Sequence, residues 1–297
     1  MFDVIVVGGG PAGLSAALVL GRCRRSVLVC DAGKPRNAAA HEMHGYLGRD
    51  GTRPTEFLRI GRDEVAKYGG EFRDVEVADA TMVDNGFEVT FADGTRQRCR
   101  RLLLATGVVD ALPSIEGVQE LYGRSLWHCP YCDGWEARDL PLAVYGKAMH
   151  GYSLALGMLS WSKDIVLCSD GPLKIRREHR DRLERNGIAV RTEKIVRLEG
   201  RDGQLEQVVF DNGTTLARKG MFFSTSQRQG SDIAKRLGCR FNAKGTVVTS
   251  RTEDTGVKGL YVVGDASHDV QFVVVAAAEG AKAALMINTS FQEEETK

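Results

Sequence analysis

An α/β fold of two three-layer domains, the second inserted into the first, is what three features of this 297-residue sequence predict. A strand, a glycine turn and a helix open the chain; the same pattern restarts near residue 142; and a buried strand returns close to the C terminus. Length points the same way, because one domain usually takes about 100 to 200 residues.

Taken in order, Asp3 to Val7 is a short apolar run rich in β-branched residues, Gly8 to Gly13 a turn, Leu14 to Leu20 a helix and Ser26 to Cys30 a second buried strand. Gly86 to Phe91 followed by Ala92-Asp93-Gly94-Thr95 reads as a hairpin, since Asp-Gly suits a tight turn. Leu142 to Tyr145 then begins a second strand-helix-strand unit, with a helix over Tyr152 to Trp161 and a strand at Ile165 to Cys168. A second hairpin signal follows Gln207 to Phe210 at Asp211-Asn212-Gly213-Thr214. Gly259 to Gly264 is a last buried strand, and Val273 to Ile287 a helix of Ala and Val. The economical arrangement is two Rossmann-like dinucleotide-binding domains. Residues 1–112 and 240–297 form the first, which the final strand completes, and residues 113–239 form the insert carrying the Cys pair and a pyridine-nucleotide-type site.

Composition narrows the function classes. Apolar residues at 43% and charged residues at 27% suffice for real cores. A net charge of +1 gives no reason to expect nucleic acid, which needs clustered surplus Lys and Arg. The basic runs Arg22 to Arg25 and Arg98 to Arg101 read as solvated edges. Asp3 stands where a signal peptide is basic, and Gly8-Gly9-Gly10-Pro11 breaks the apolar start. No stretch reaches the roughly 18 apolar residues a membrane helix requires. A soluble, cytoplasmic protein without a membrane partner is expected. Seven cysteines, five of them scattered as Cys23, Cys30, Cys99, Cys168 and Cys239, do not make a secreted disulfide framework.

Gly8-x-Gly10-x-x-Gly13 follows a strand and opens a helix, the context a dinucleotide fingerprint needs, with Pro11 and Ala12 completing the loop. Gly8 permits the tight turn, Gly10 admits a pyrophosphate to the backbone, and Gly13 allows close helix packing. The helix N terminus offers N–H groups and partial positive charge to that anion. Asp31, at the end of the next strand, is placed for an adenosine ribose.

Cys129-Pro130-Tyr131-Cys132 pairs two thiols at a spacing that closes a small ring, and Pro130 suits the first turn of a helix. A dithiol moves two electrons, as a flavin does, and a helix N terminus would favour thiolate. Asp133 is the candidate proton shuttle and Glu136 a weaker one. A zinc site would need a second ligand pair, and His41-Glu42-Met43-His44 lacks the spacing of a helical metalloprotease motif, so no metal is expected.

Two further segments, Leu104-Ala105-Thr106-Gly107 and Val263-Gly264-Asp265, resemble those of two-domain flavin disulfide reductases. With the Cys pair included, nearly the whole chain resembles the small, two-domain thioredoxin reductases. That resemblance implies FAD, with Ala105, Thr106 and Gly107 near the dinucleotide and Asp265 on its ribityl chain. It implies Cys129 as the interchange thiol, Cys132 as the flavin-proximal thiol and Asp133 as the acid. It also implies thioredoxin as substrate and a homodimer whose inserted domain rotates. Gln271 and Phe272 precede the final helix, whose amides could face the flavin's pyrimidine edge.

Departures from that family concern the electron source. Gly146-Lys147-Ala148-Met149-His150-Gly151 carries Ala148 where the middle glycine belongs, and Asp170 replaces the arginines that a 2′-phosphate wants. Arg176 and Arg177 read as an exposed helix face. NADPH is therefore expected to be a poor donor. Three readings follow: a thioredoxin reductase fed by ferredoxin or another carrier; an oxygen-linked dithiol oxidase, because Asp31 to Asn37 and Met43-His44-Gly45 resemble enzymes that close disulfides in epidithiol products; and a non-catalytic redox sensor. His44 is read as a polar loop residue or a proton relay over the flavin, and Phe291 as a tail aromatic or a cover for it.

Overall fold

The computed structural model describes residues 1–268 and 270–297. They fall into two compact units: Met1–Ala38, Gly45–Asp110 and Gln227–Lys297 make the first, and Ala39–His44 with Ala111–Ser226 the second.

The first unit is built on a seven-stranded sheet. Phe2–Val7 lies between Val27–Cys30 and Arg96–Leu104, parallel to both, and Glu71–Arg73 extends the parallel edge. On its other edge the long strand Arg96–Leu104 serves two partners. Its first residues pair antiparallel with Gly86–Phe91, which turns back onto Val77–Val83, while its last three pair parallel with Leu260–Val262. The returning strand Leu260–Val262 thus completes this sheet. Successive side chains of a strand point to opposite faces, and both faces are covered. Val4 and Val6 pack with the helices Pro11–Arg22 and Val273–Glu295, whereas Ile5 and Val7 pack with Phe87, Phe91 and the short helix Ile233–Arg236. Each fully buried Val, Leu or Ile contributes about 1.5–3 kcal/mol.

The C-terminal helix continues past the expected end at Ile287 to Glu295 because Phe291 is fully buried. The guanidinium groups of Arg25, Arg100 and Arg101 lie 4.8, 4.2 and 4.8 Å from its ring centre. Glu295 pairs with Arg25 at 2.6 Å, and Glu294 pairs with Arg100 and Arg101. Phe291 is therefore a core residue and no cover for a ligand, and three arginines read as solvated edges hold the helix end through cation–π contacts and ion pairs.

The second unit carries a five-stranded parallel sheet in the order Ala189–Arg191, Ile165–Cys168, Leu142–Tyr145, Gly220–Phe223, Leu126–Trp127. A three-stranded antiparallel sheet of Ile195–Arg201, Gln204–Phe210 and Thr215–Ala217 packs beside it. The helix expected from Tyr152 starts one turn earlier, at Ala148, and ends at Gly157.

The insert drawn as 113–239 differs at its end, because Gln227–Gln229 pairs with Val108–Asp110 and Ile233, Ala234, Leu237 and Cys239 belong to the first unit's core. Residues 39–44, assigned by sequence to the first domain, group with the second unit; the carbonyl of Ala39 packs so closely on Gly123 that an added methyl would lie 2.3 Å away. Among the described residues no helix is long and apolar enough to cross a membrane. Burial pushes the thiols of Cys30, Cys99 and Cys168 up to about 12, which keeps them protonated and unreactive.

Candidate functional site

In the first unit the strand Phe2–Val7 delivers Gly8, whose N–H donates to the carbonyl of Cys30 at 2.8 Å. Gly8 has φ +107°, and a Cβ there would stand 2.3 Å from the carbonyl oxygen of Ala105. A Cβ on Gly13 would stand 2.0 Å from the carbonyl oxygen of Gly8. Both glycines are thus demanded by packing. Gly10 is different: a Cβ there meets nothing within 4 Å, so its face is open to a ligand. No side chain among the described residues caps the helix that Gly10 opens, leaving first-turn amides for an anion. The cradle fits the pyrophosphate of a dinucleotide. Asp31 follows the next strand and packs over Gly9, where a Cβ would fall 2.6 Å from its Oδ2. Gly9 is a fingerprint residue that spacing alone does not single out. Arg62 stands 3.8 Å from Asp31.

The segments Ala105-Thr106-Gly107 and Gly264-Asp265 come to the same loop. Ala105 donates its N–H to Val7, Gly107 accepts from the N–H of Gly230 at 2.9 Å, and Gly264, at φ +72°, lies against Ala12. The N–H of Gly264 donates to Glu279 at 2.7 Å, a buried carboxylate raised in pKa first by desolvation. Asp265 accepts from Arg36 at 2.7 Å, and Arg36 also donates to Gln271 and, through two nitrogens, to Asp110. Sequence reasoning named neither Arg36 nor Glu279 as a site residue. Arg36 belongs to the Asp31 to Asn37 segment, and nothing local in the sequence marks Glu279 within the helix of Ala and Val. Phe272 is the N-terminal boundary residue of Val273–Glu295 and, like Gly10, provides no side-chain cap.

In the second unit Cys129 and Cys132 form a disulfide with Cα atoms 5.3 Å apart. Cys129 precedes the single turn Pro130–Asp133, and its carbonyl accepts from the N–H groups of Cys132 and Asp133. The helix expected at the pair is only one turn long, so its dipole is small and its field correspondingly weak. Gly134 is required where the chain leaves that turn, since a Cβ would lie 2.7 Å from the ring of Trp161. Trp161 also meets the exposed Tyr131 edge-on at 5.5 Å.

Asp133 is the most perturbed carboxyl of this unit. Burial first and the neighbouring Glu136 charge second, opposed by His44, together push it up to about 7. His44 Nε2 lies 3.6 Å from Glu136 and 3.9 Å from Glu42. These groups line a cavity of about 500 Å3 that Arg124, Trp127 and Gln204 help to close. The structure therefore brings His44 to the acid beside the Cys pair, within the second unit.

The second glycine loop keeps its outer packing. A Cβ on Gly151 would fall 2.1 Å from the carbonyl oxygen of Gly146. Ala148 adopts φ +46° and Asp170 φ +50°. The Asp170 carboxylate reaches Lys147 Nζ at 3.1 Å and the Tyr145 hydroxyl at 3.3 Å. Arg176 and Arg177 are on an exposed helix face, at 77% and 94% side-chain exposure.

Comparison with known proteins gives a consistent picture. The model of the family described as pyridine nucleotide-disulphide oxidoreductase matches residues 2–280. A probable thioredoxin reductase of Arthroderma benhamiae is 31% identical, across 90% of this chain and 74% of its own. Thioredoxin reductase tcpT of Claviceps purpurea is 31% identical, across 97% and 93%. Among solved structures, a putative thioredoxin reductase TrxB of Bacillus anthracis superposes with a TM-score of 0.94 at 35% identity, covering 99% of this chain and 100% of its own. The protein HlmI does so with a TM-score of 0.94 at 37% identity, covering 99% and 94%.

Proposed function

Because the chain belongs to the pyridine nucleotide-disulphide oxidoreductase family, as a thioredoxin reductase-like, FAD-binding disulfide oxidoreductase, we propose that it reduces a protein disulfide such as that of thioredoxin through Cys129 and Cys132. The first unit is the flavin domain in this reading and the second carries the redox pair. Bound FAD supplies or accepts an electron pair. The loop Gly8 to Gly13 and the helix N terminus would hold its pyrophosphate, Asp31 its adenosine ribose and Asp265 its ribityl chain.

At the thiols, two electrons and two protons convert the disulfide to the dithiol. Cys129 as thiolate attacks the external disulfide and forms a mixed disulfide, releasing one substrate thiolate, which takes a proton. Cys132 then attacks Cys129, restoring the internal disulfide and releasing the second substrate thiol. The observation that carries this reading is Asp133, a carboxyl next to the Cys pair held near 7 by burial. Such a group keeps its proton below neutrality and gives it to a departing thiolate, whereas an ordinary aspartate would already be ionised.

Ala148 in a left-handed conformation and Asp170 facing the loop support NADPH as an inefficient donor, which leaves ferredoxin or another carrier as the electron source. A cytoplasmic homodimer is part of the same reading. One observation favours a second: the 500 Å3 cavity lined by Asp133 suits a small dithiol, in which case electrons run from substrate to flavin and on to oxygen.

The test is Asp133→Asn, followed as the rate of thiol–disulfide exchange against pH. The wild-type rate should fall as pH rises through about 7, while the variant should be about 10²-fold slower and flat. The stability sign is opposite. A carboxyl raised in the folded state weakens folding as pH climbs from its unfolded value of 3.8 to about 7, so the variant should match wild type only below 3.8, gain on it progressively as pH rises, and hold a constant advantage above about 7. A variant with undiminished exchange would overturn the assignment.

A further inference from the structure

Arg36 lies on the loop after Val27–Cys30, far in sequence from everything it binds. Its Nε and Nη2 donate to the two oxygens of Asp110, each at 2.7 Å, and its Nη1 donates to Asp265 and to Gln271, also at 2.7 Å. Asp110 closes the strand Val108–Asp110, where the chain leaves the first unit, and its register partner Gln227 opens Gln227–Gln229, where the chain returns. The Gln227 amide nitrogen donates to Asp110 at 2.9 Å and to Gln271 at 2.8 Å, and Gln271 donates back at 2.8 Å. The side chains of Arg36 and Asp110 are only 18% and 5% exposed, so these charge-assisted bonds are little weakened by water. Every member of this network lies in the first unit.

We propose that Arg36 is a positioning residue that ties the flavin-site carboxylate Asp265 to the two strands by which the chain crosses to and from the second unit, so that FAD binding stiffens both strands. The inference rests on the reading of Asp265 as the ribityl contact. Asp265 has one oxygen on Arg36, and among the described residues no side chain bonds the other, which is the acceptor for a ligand hydroxyl in that reading. A ligand that fixes Asp265 also fixes the guanidinium, and through its planar fork the Asp110 carboxylate. Lysine has the charge without the fork and cannot span both acids in this geometry. Guanidinium and carboxylates are complementary in charge as well: desolvation opposes the cation, yet the bonds to Asp110 and the nearby Asp265 outweigh it and hold Arg36 protonated.

Hydrogen exchange on the full chain, with and without FAD, tests the proposal. In wild type, FAD should slow the amides of residues 108–110 and 227–229 at least tenfold. Arg36→Met should weaken FAD binding about tenfold, which is about 1.4 kcal/mol, and at saturating FAD the slowing at both strands should vanish; Arg36→Lys should recover part of the affinity and little of the slowing. Asp110→Asn cuts only the strand half of the network, so it should keep FAD affinity within about twofold and still lose the slowing. That variant decides the matter if Arg36→Met does not fold. Unchanged slowing in Asp110→Asn, or no FAD effect on these strands in wild type, overturns the proposal. Asp265→Asn with undiminished FAD affinity instead removes the ribityl reading on which it rests.

Discussion

The two glycine loops, one in each unit, share a frame and part at the position a ligand would touch. In both, the outer glycines press together: Gly13 on the carbonyl of Gly8, with a Cβ gap of 2.0 Å, and Gly151 on that of Gly146, with 2.1 Å. In the first loop the middle position is Gly10, in ordinary extended backbone and open to space. In the second it is Ala148, at φ +46°. The acids differ too. Asp31 packs over Gly9, while Asp170 sits in the left-handed region and pairs with Lys147. The outer glycines therefore report how a helix meets a strand, and only the middle residue and the acid report on a cofactor. Packing alone therefore demands the outer glycines of both loops, whatever either loop binds.

The largest effect should come from breaking what the loops share. Gly13→Ala drives a methyl into a backbone carbonyl that cannot yield, and should cost about 3 kcal/mol of stability and with it the FAD, measured by denaturant melts of the apoprotein. Gly151→Ala should cost a similar amount in the second unit and leave FAD bound. Gly10→Ala sharpens the contrast. Its methyl meets no protein atom, so the apoprotein should lose about 1 kcal/mol at most, from a poorer helix cap. FAD affinity should nevertheless fall about tenfold or more. Equal losses of stability for Gly10→Ala and Gly13→Ala would dissolve the distinction between packing and ligand positions.

Much of this was legible in the sequence, for reasons that differ residue by residue. Val4 to Val7 reads as a doubly buried strand because it has no polar face, and Gly8 to Gly13 carries its constraint in its own spacing. Cys129 and Cys132 are three apart, so their pairing is local. What escaped depends on contacts between distant segments. Arg36 meets Asp265 across 229 positions; Phe291 is buried in the first unit's core, with Arg25, Arg100 and Arg101 brought to its ring from distant strands and turns. His44 is singled out in the sequence, but its place at the acid Asp133 follows from the six-residue excursion 39–44, whose membership in the second unit no local pattern signals. The end of the insert was misplaced for a similar reason. The short strand Gln227–Gln229 has no apolar pattern, and its membership is set by its partner Val108–Asp110.

The smallest effect tests the middle position of the second loop directly. A left-handed conformation costs an L residue about 1–2 kcal/mol, and glycine gives back about 0.5–1 of that in unfolded-chain entropy. Ala148→Gly should therefore stabilise the second unit by roughly 0.5–1 kcal/mol. Asp170→Arg removes the carboxylate that opposes a 2′-phosphate, and the lost pair with Lys147, whose side chain is 64% exposed, is worth little. If these two positions are what keep NADPH from serving as donor, the double variant should bleach the flavin at least tenfold faster than wild type in anaerobic stopped-flow with NADPH. Cys129–Cys132 and the first loop are untouched by both changes, so FAD content should stay constant and serve as the control. Rapid bleaching of the wild-type flavin by NADPH would show that the left-handed Ala148 and the Asp170 carboxylate are compatible with nicotinamide binding, and the contrast between the loops would then be one of backbone shape alone.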